Sequence, residues 1–533
     1  MTEDRNRLAF AIRIALALTV PAVAAPAIAE SVVVGECESL VNLDLPGTEI
    51  TLAERLSAGT FTPPDTGGGN RPGGGPDLRR PFEIPAMCRV AGVVEPAIRF
   101  EVWLPEGDAW NGRFQAVGGG GLAGVISYAA MGEAVRDGYA SASTDTGHEA
   151  SDDTWLGDRQ RLIDYGYRAI HEMTVKAKAV IDAYYGRGPE YSYFNGCSTG
   201  GRQGLMEAQR FPDDYDGIVS GAPVNRFTHL HIGQLWAAHA TLKKPGAALT
   251  SADFELVTAK VLEMCDATDG VEDGILTDPR TCDFDPALLQ CSAGQTEGCL
   301  PEPKVEALRM IYQGPVNPRT GEQIYPGLEP GGEAAQPGNR GWAMIMDGEK
   351  PFTISEAVIG GMAFEREDWD WRTFDFDRDV EIVDAKLFGV LNAIDPDLRD
   401  FKARGGKLIM YHGWSDPGVM PRQTIAYYES LIDFAEKATG QDGRAFTDEY
   451  VRLYMMPGMG HCRGGPGPDR ADFMKALVAW VEEGKAPEEI VARKVEDDEV
   501  TMTRLLCPHP QVARYSGRGD PNDARNFHCA LPE

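Results

Sequence analysis

The sequence lacks several features that would assign it to a well-marked class of protein. Basic residues are scarce: 51 Lys and Arg stand against 81 Asp and Glu, which gives a formal net charge of -30. Binding to phosphate backbones needs a basic surface, so this balance excludes nucleic acid as a partner. The sequence also lacks an internal repeat, a CxxC pair and, beyond residue 30, any apolar run long enough to cross a membrane. We therefore expect a protein without a membrane span, and no pattern in the sequence indicates a particular oligomeric state.

The first 29 residues differ in character from the rest of the chain. Arg5, Arg7 and Arg13 precede an apolar run from Ile14 to Ala29, which ends in the small-residue pattern Ala-Ile-Ala. A membrane anchor is the alternative interpretation, but two prolines interrupt the run and it is shorter than the roughly 20 residues that span a bilayer. A basic start, a short apolar segment and a small-residue cleavage pattern favour a signal peptide over residues 1–29. We expect export to the periplasm or the medium.

The length and the pattern of segments predict an interrupted α/β core. The 533 residues exceed what one ordinary hydrophobic core accommodates. Strand-like and helix-like segments alternate within residues 30–224 and again within residues 400–533. Residues 225–399 show no such alternation and carry many turn signals. We interpret residues 225–399, called the insertion below, as an inserted domain that covers the functional site.

A candidate nucleophile lies in the stretch "YFNGCSTGGRQG", which contains Gly196-x-Ser198-x-Gly200. A hydrophobic strand signal precedes the serine and a helix signal follows it. This context raises a serine above a sheet, and the flanking glycines let other backbone segments pass close to it. The pattern alone also fits a plain glycine-rich turn. A nucleophilic Ser198 therefore requires a histidine and an acid elsewhere in the sequence.

His461 and Asp416 fit these two roles. Each lies in a loop after a hydrophobic strand signal, in "PGMGHC" and "GWSDPG". The order Ser198, Asp416, His461 is that of α/β-hydrolase catalytic triads. Other histidines lie in segments that favour packing, although the spacing of three of them would also allow metal binding: His171, His412, His509 and His528, and the closely spaced His229, His231 and His239.

The ten cysteines favour disulfides, because their number is even and export is expected. Cys197 and Cys462 adjoin Ser198 and His461, so a hydrogen bond between serine and histidine would bring these cysteines within disulfide distance. A reactive thiol at Cys197 is the alternative, which export and the cysteine beside the histidine disfavour. Three further pairs would close short local loops, although spacing leaves the connectivity open: Cys265 with Cys282, Cys291 with Cys299, and Cys507 with Cys529.

An ester-cleaving serine also needs N–H donors for the oxyanion that forms on the substrate. The N–H of Thr199, directly after the nucleophile, is the expected first donor. A second is expected from the glycine-rich "GGGGLAG", where the backbone can approach a carbonyl oxygen. We choose Gly120, with Gly119 and Gly121 nearly as suitable. A flexible glycine turn without this role is the alternative.

The loop "CDATDGVEDGILTDPRTC" concentrates carboxylates between two cysteines. Carboxylates this dense repel one another unless a hard cation or water separates them, and oxygen ligands suit calcium. The spacing is not that of an EF-hand, and an exposed acidic turn is the alternative. We predict a structural calcium site within the insertion, formed by the side chains of Asp266, Asp269 and Asp273 and the carbonyls of Val271 and Ile275.

These motifs together resemble the CS-D-HC pattern of the tannase and feruloyl esterase family, which includes mono(2-hydroxyethyl) terephthalate hydrolases. The resemblance extends over nearly the whole chain after the signal peptide, from "AVGGGGLAG" to "PGMGHCRGG". It implies an α/β-hydrolase core, a lid inserted between Ser198 and Asp416, a calcium ion in the lid and a disulfide beside the triad. It also implies the pairing Cys37–Cys88, with Cys507–Cys529 near the C-terminus.

The resemblance implies hydrolysis of esters of aromatic acids. Feruloyl (hydroxycinnamate) esters lead this expectation, with gallate esters and the monoester of terephthalate as alternatives. A non-catalytic binding module on a hydrolase scaffold is a more distant alternative. Aromatic residues of the insertion are candidates to hold the substrate ring or to form the insertion's own core: Trp342, Phe352, Phe364, Trp369 and Trp371. Arg366 is a candidate carboxylate partner, although a surface arginine is the simpler interpretation.

Overall fold

The computed structural model describes residues 33–64 and 80–532. The expected signal peptide, residues 1–29, lies outside the described residues. Among the helices of the described residues, none combines the length and apolar character that crossing a membrane requires.

The described strands, in chain order, are β1 (Thr48–Leu56), β2 (Gly59–Phe61), β3 (Phe82–Ile84), β4 (Met87–Val94), β5 (Ile98–Pro105), β6 (Arg113–Val117), β7 (Ala140–Thr144), β8 (Tyr191–Cys197), β9 (Gly217–Gly221), β10 (Lys407–Gly413), β11 (Val451–Met456), β12 (Arg470–Ala471), β13 (Ile490–Glu496), β14 (Glu499–Leu506), β15 (Val512–Tyr515) and β16 (Phe527–Ala530).

Nine of these strands form one large sheet in the order β1-β4-β5-β7-β6-β8-β9-β10-β11. Strands β1, β4, β5 and β7 pair antiparallel with their neighbours along this order. From β7 onward, strands β7, β6, β8, β9, β10 and β11 pair parallel. The parallel strands are largely buried, as expected of strands covered on both faces, and every residue of β7 and β9 is buried. Their carboxyl ends therefore share one edge of the sheet, where α/β proteins place their functional loops.

The described α-helices are α1 (Tyr128–Arg136), α2 (Arg159–Ile163), α3 (Ala169–Tyr185), α4 (Thr199–Arg210), α5 (Phe227–Leu242), α6 (Ser251–Cys265), α7 (Glu302–Gln313), α8 (Ala343–Met346), α9 (Thr353–Glu356), α10 (Asp379–Leu391), α11 (Arg399–Ala403), α12 (Pro421–Thr439), α13 (Gly443–Asp448) and α14 (Phe473–Glu483). Helix α3 ends at Tyr185 and is followed by Gly186, which adopts a left-handed conformation with φ 71°. A glycine in this conformation is a common way to end a helix.

The chain leaves the large sheet after β9, which ends at Gly221, and returns to it at Lys407, where β10 begins. The segment between them contains α5 to α11 and short turns but no strand of the large sheet. Its helices share a separate hydrophobic cluster, which includes Leu235 of α5, Leu308 of α7 and Leu387 of α10. The expected boundaries at 225 and 399 lie within this segment and remain a prediction.

Five disulfides join all ten cysteines, in the pairs that the motifs and the family resemblance indicate: Cys37–Cys88, Cys197–Cys462, Cys265–Cys282, Cys291–Cys299 and Cys507–Cys529. Two bonds lie within the insertion, and one joins the segment before β1 to β4. A fourth joins Cys507, directly after β14, to β16 near the C-terminus. The remaining bond, Cys197–Cys462, connects the end of β8 to the loop after β11. It therefore crosses between the two parts of the α/β core.

Candidate active site

Ser198 occupies a sharp turn between β8 and α4. Its backbone angles, φ 63° and ψ -121°, lie in a region that side chains other than glycine rarely adopt. The turn is possible because the glycines that flank it have no side chains: a Cβ at Gly196 would lie 2.6 Å from the carbonyl of Gly200, and one at Gly201 would lie 2.2 Å from the carbonyl oxygen of Gly221. This close approach is the physical reason for the glycine spacing around the serine.

Ser198, His461 and Asp416 form a hydrogen-bonded chain at the carboxyl ends of β8, β10 and β11. The distance from His461 Nε2 to Ser198 Oγ is 2.9 Å, and that from His461 Nδ1 to Asp416 Oδ2 is 2.7 Å. Because the carboxylate accepts, Nδ1 carries a proton and Nε2 is left to accept the serine hydroxyl proton. The structure thus brings together the three residues selected from the sequence.

The electrostatics of this chain suit a base. Asp416 is buried, which by itself would raise its pKa, but charge-assisted hydrogen bonding to His461 and a further hydrogen bond from His412 hold the pKa well below its usual range. Burial also opposes a charge on His461, yet Asp416 outweighs that effect and raises the pKa of the imidazole above its ordinary value. The side chain of His461 remains 19% exposed, so a ligand can reach it.

The Cys197–Cys462 disulfide lies immediately beside the chain of three residues. Cys197 is the last residue of β8 and precedes Ser198, while Cys462 follows His461 and has a positive φ of 63°. The Cα atoms of the two cysteines are 6.1 Å apart. The bond therefore holds the loop of the histidine against the turn of the serine.

Two N–H groups near Ser198 have no acceptor among the described residues. One is the N–H of Thr199, the first of α4, and the other is the N–H of Gly120. The neighbouring N–H of Gly119 donates instead to Oε1 of Gln203, at 3.0 Å in a buried position. Of the three glycines considered from the sequence, Gly119 is therefore committed to a structural hydrogen bond.

Three side chains from other parts of the chain, Thr199, Tyr165 and His148, fix the glycine loop that contains Gly120. The carbonyl of Gly121 accepts the Thr199 hydroxyl at 2.6 Å and the Tyr165 hydroxyl at 3.0 Å. The next carbonyl, of Leu122, is 2.8 Å from Nε2 of His148. Thr199 thus presents its N–H beside Ser198 while its hydroxyl holds the opposite loop.

The insertion reaches the site through two aliphatic side chains. A Cβ at Gly121 would lie 3.6 Å from Cδ1 of Ile354, and a Cβ at Gly418 would lie 3.0 Å from Cε of Met344 and 3.4 Å from the ring of His461. Helices α8 and α9 therefore pack against the loops on both sides of the site.

The aromatic candidates of the insertion separate into two groups. Trp342 and Trp371 are fully buried within the insertion, where Trp342 packs against Phe254 and Tyr312. The other group is half-buried and consists of Phe352, Phe364 and Trp369. The rings of Phe364 and Trp369 stack with their centroids 5.6 Å apart. Arg366 is exposed, as expected of a surface arginine.

The acidic loop directs its carboxylates inward. Asp269 accepts the N–H groups of Val271 and Thr277, both at 3.1 Å, and Asp273 accepts that of Ile275 at 3.1 Å. Both carboxylate oxygens of Asp266 accept the N–H of Gly274 at 3.0 Å.

The oxygen atoms of this loop match the donor types that calcium prefers. Burial raises the pKa of Asp273, an ion pair with Arg504 opposes that rise, and the nearby carboxylates of Asp269 and Asp266 add to it. The carbonyls of Val271 and Ile275 accept no hydrogen bond from the described residues. Carboxylate oxygens and carbonyl oxygens that accept no hydrogen bond are the kinds of ligand that a hard cation prefers.

A different cluster has converging groups of the metal-ligating type. Ligand atoms of His171, Glu207 and Asp214 all lie within 4.8 Å of one another, a convergence that the three acidic-loop carboxylates do not reach. A 2.7 Å hydrogen bond joins Nδ1 of His171 to Asp214. Glu207 is fully buried without a hydrogen-bond donor, and burial together with Asp214 raises its pKa well above the usual value. The hydrogen bond between His171 and Asp214 holds this cluster together, and the raised pKa favours the neutral form of Glu207.

The three closely spaced histidines have separate partners rather than a common one. His229 contacts the carbonyl of Ile324 and Asp384, His231 contacts Gln234, and His239 contacts the carbonyl of Trp371. Their role is packing of α5, as favoured from the sequence.

Several residues at the site were not found from the sequence: His412, Tyr165, Gln203, Met344 and Ile354. Each reaches the site because distant segments of the chain pack together or because the chain turns there, and the local sequence indicates neither. For His412 a signal existed, since it lies four residues before Asp416 at the end of the same predicted strand.

Comparisons with known proteins find esterases that align with most of this chain. An uncharacterized esterase of Xanthomonas campestris is 40% identical, with 92% of this chain and 91% of that protein covered. The mono(2-hydroxyethyl) terephthalate hydrolase of Piscinibacter sakaiensis is 34% identical, with 84% and 85% covered. The crystal structure of feruloyl esterase B from Aspergillus oryzae matches with a TM-score of 0.82 and 28% identity, over 93% of this chain and 99% of that one.

These likenesses confirm the α/β-hydrolase fold and the family expected from the motifs. The sequence pattern described as "Tannase and feruloyl esterase" matches residues 83–530. The chain belongs to the tannase and feruloyl esterase family and is an ester hydrolase.

Proposed function

We propose that this protein is a serine carboxylic-ester hydrolase in which Ser198, His461 and Asp416 are the catalytic triad. The observation that carries the proposal is the unbroken hydrogen-bonded chain from Ser198 Oγ through His461 to Asp416. A weakly nucleophilic hydroxyl, a base within reach and an acid that orients the base are what acyl transfer from an ester requires.

The reaction proceeds in two halves through an acyl-enzyme. Ser198 Oγ attacks the ester carbonyl carbon as its proton passes to Nε2 of His461, and the oxyanion accepts the N–H groups of Thr199 and Gly120. Collapse of the tetrahedral intermediate breaks the bond to the alcohol, which takes the proton from His461. Water then attacks the acyl group, gives one proton to His461, and the acid leaves as Ser198 regains that proton. Asp416 stays ionised throughout and stabilises the imidazolium.

The substrate is an ester of an aromatic acid, with feruloyl (hydroxycinnamate) esters first, and gallate esters or the terephthalate monoester as alternatives. The names of the relatives support this class, since they include a feruloyl esterase and a mono(2-hydroxyethyl) terephthalate hydrolase. Met344 and Ile354 supply apolar contacts beside Gly418 and Gly121, where the ring of such an acid would lie. In this proposal the insertion acts as a lid over the triad.

A calcium ion belongs to the proposal as a structural element of the insertion. Asp266, Asp269 and Asp273 would hold it by their carboxylates, and Val271 and Ile275 by their carbonyls. Its charge would offset repulsion among the carboxylates and stabilise the loop closed by the Cys265–Cys282 disulfide. No step of ester hydrolysis involves it.

Export to the periplasm or the medium completes the proposal. Five disulfides need an oxidising compartment to form and persist.

The test is hydrolysis of methyl ferulate, methyl gallate and mono(2-hydroxyethyl) terephthalate by the oxidised protein, with Ser198→Ala as the matched control. We expect turnover of at least one ester, its loss in Ser198→Ala, and a kcat/KM that rises with pH to a plateau. The midpoint of that rise should lie above about 6.5, the ordinary histidine value, because Asp416 raises the pKa of His461. Absence of turnover together with absence of fluorophosphonate labelling at Ser198 would favour a non-catalytic binding module instead.

A further inference from the structure

A second histidine contacts the carboxylate of Asp416. His412 lies at the end of β10 and is completely buried. Its Nε2 is 3.1 Å from Asp416 Oδ2 and 2.9 Å from the carbonyl oxygen of Val419, and its Nδ1 is 2.7 Å from Oγ1 of Thr424. Asp416 Oδ2 therefore lies between two imidazole rings, those of His461 and His412.

The neighbours of His412 define its protonation state. Both partners of Nε2 are acceptors, so this nitrogen carries a proton. Nδ1 is the one hydrogen-bond partner of the Thr424 hydroxyl among the described residues, so the hydroxyl donates to it. A proton on Nδ1 would leave that hydroxyl hydrogen buried without an acceptor, which costs about 1–3 kcal/mol. His412 is therefore a neutral imidazole that donates from Nε2.

Four donors hold the Asp416 carboxylate, and they are divided between its two oxygens. Oδ1 accepts the N–H groups of Gly418 and Val419, at 2.8 and 2.9 Å. Oδ2 accepts from His461 and His412. The backbone donors fix Oδ1, but the orientation of Oδ2 depends on the two histidines, and the ring of His461 is itself the group that Asp416 must orient.

We propose that His412, held by Thr424, is a positioning residue that fixes Oδ2 of Asp416 toward His461. The inference rests on the proposed esterase function and adds a residue to it. Because His412 is neutral, it restrains the carboxylate without cancelling the negative charge that stabilises the imidazolium of His461. Other titratable groups near this cluster are Tyr325, which burial keeps protonated, and Arg226 beside it.

The test compares His412→Phe, which keeps an aromatic ring without hydrogen bonds, with His412→Gln, whose amide N–H can replace Nε2. For His412→Phe we expect kcat to fall about tenfold or more, since an acid that fails to orient its histidine costs up to about 10⁴ in kcat. KM should change less than twofold. The acidic limb of kcat/KM should move to lower pH, because burial lowers the pKa of His461 once its pairing with Asp416 weakens. His412→Gln should recover most of kcat and the original limb.

Thr424→Val and Thr424→Ser form a second matched pair if His412→Phe does not fold. Valine keeps the shape but removes the donor to Nδ1, so we expect the same shifts at smaller size, whereas serine should behave as wild type. Unchanged kcat and pH profile in His412→Phe or Thr424→Val would overturn the inference. A lower kcat with an unmoved acidic limb and no recovery by Gln or Ser would also overturn it, because only stability would then have changed.

A readout without turnover separates this inference from the proposed function. The low-field proton NMR signal of His461 Nδ1–H reports its hydrogen bond to Asp416, and it should shift in His412→Phe and return in His412→Gln. A wild-type protein that hydrolyses no ester but shows this response would contradict the proposed function alone. A signal that does not respond would refute the positioning role, whatever the activity.

Discussion

Removal of the Cys197–Cys462 disulfide should lower both stability and catalysis. Its cysteines adjoin Ser198 and His461, the proposed nucleophile and base, so we expect the bond to maintain the 2.9 Å distance between Ser198 Oγ and His461 Nε2. The perturbation is the double substitution Cys197→Ala with Cys462→Ala. The matched control is Cys507→Ala with Cys529→Ala, which opens a bond in the C-terminal segment.

The expected magnitudes follow from the loop that each bond closes. The two cysteines of the first bond are 265 residues apart in sequence, and those of the control bond are 22 apart. In the chain-entropy model these loops correspond to about 5.6 and about 3.4 kcal/mol of unfolding free energy at 25 °C. The two variants should differ more in kcat than in stability, because only the first frees the loop of His461 beside Ser198. A misplacement of about 1 Å there can lower kcat about 10²-fold. The control variant should keep kcat within about twofold.

The measurements are urea unfolding and kcat for the best of the three test esters, on protein that circular dichroism shows to be folded. A folded Cys197→Ala, Cys462→Ala variant with wild-type kcat would refute the reasoning, because the disulfide would then not set the geometry of Ser198 and His461. Equal losses of kcat in both double variants would refute it as well, since they would indicate a general effect of stability.

Three further predictions concern groups around the site and the insertion. Tyr165→Phe removes one of two donors to the Gly121 carbonyl and should lower kcat about three- to tenfold, measured against an unchanged KM. Glu207→Gln should be more stable than wild type at neutral pH. Because the pKa of Glu207 is raised in the folded state, its contribution to the unfolding free energy is complete below the unfolded-state pKa of about 4.5 and is lost as the pH rises toward the folded-state pKa. The unfolding free energy, measured with urea from pH 5 to 8, should therefore depend less on pH in the variant. Removal of calcium with EDTA should lower the unfolding free energy by about 2.7 kcal/mol relative to protein in calcium at 100 times its Kd. Asp269→Asn should remove most of this difference. A wild-type unfolding free energy that does not depend on calcium would contradict the proposed site.

The sequence predicted the local features that chemistry and turn geometry require. Strand, serine turn and helix around Ser198 follow from an apolar run between glycines, and the structure has β8 and α4 there. The order of Ser198, Asp416 and His461, each after a buried strand, predicts that they meet, because the carboxyl ends of parallel strands share one edge of a sheet. The catalytic roles, the oxyanion donors and the calcium ligands remain predictions.

Some expectations could not be refined from the sequence. Spacing left the cysteine pairing open, and the family resemblance was needed for Cys37–Cys88. The aromatic residues of the insertion were not divided into core and surface, because Trp369 and Trp371 lie in the same stretch "DWDW" although the first is half-buried and the second fully buried. Burial of Trp342 depends on Phe254 and Tyr312, which come from other helices.

The sequence by itself determined which residue types lie at the end of each strand and the order in which they occur. It could do so because strands, turns and helix starts depend on residues within a few positions of one another. The tertiary structure decided which groups hold these residues in place: Tyr165 on the Gly121 carbonyl, and His412 with Thr424 on Asp416. The physical reason is that a hydrogen bond needs its atoms within about 3 Å. Separation along the chain does not specify such distances; packing of the helices, the sheet and the insertion does.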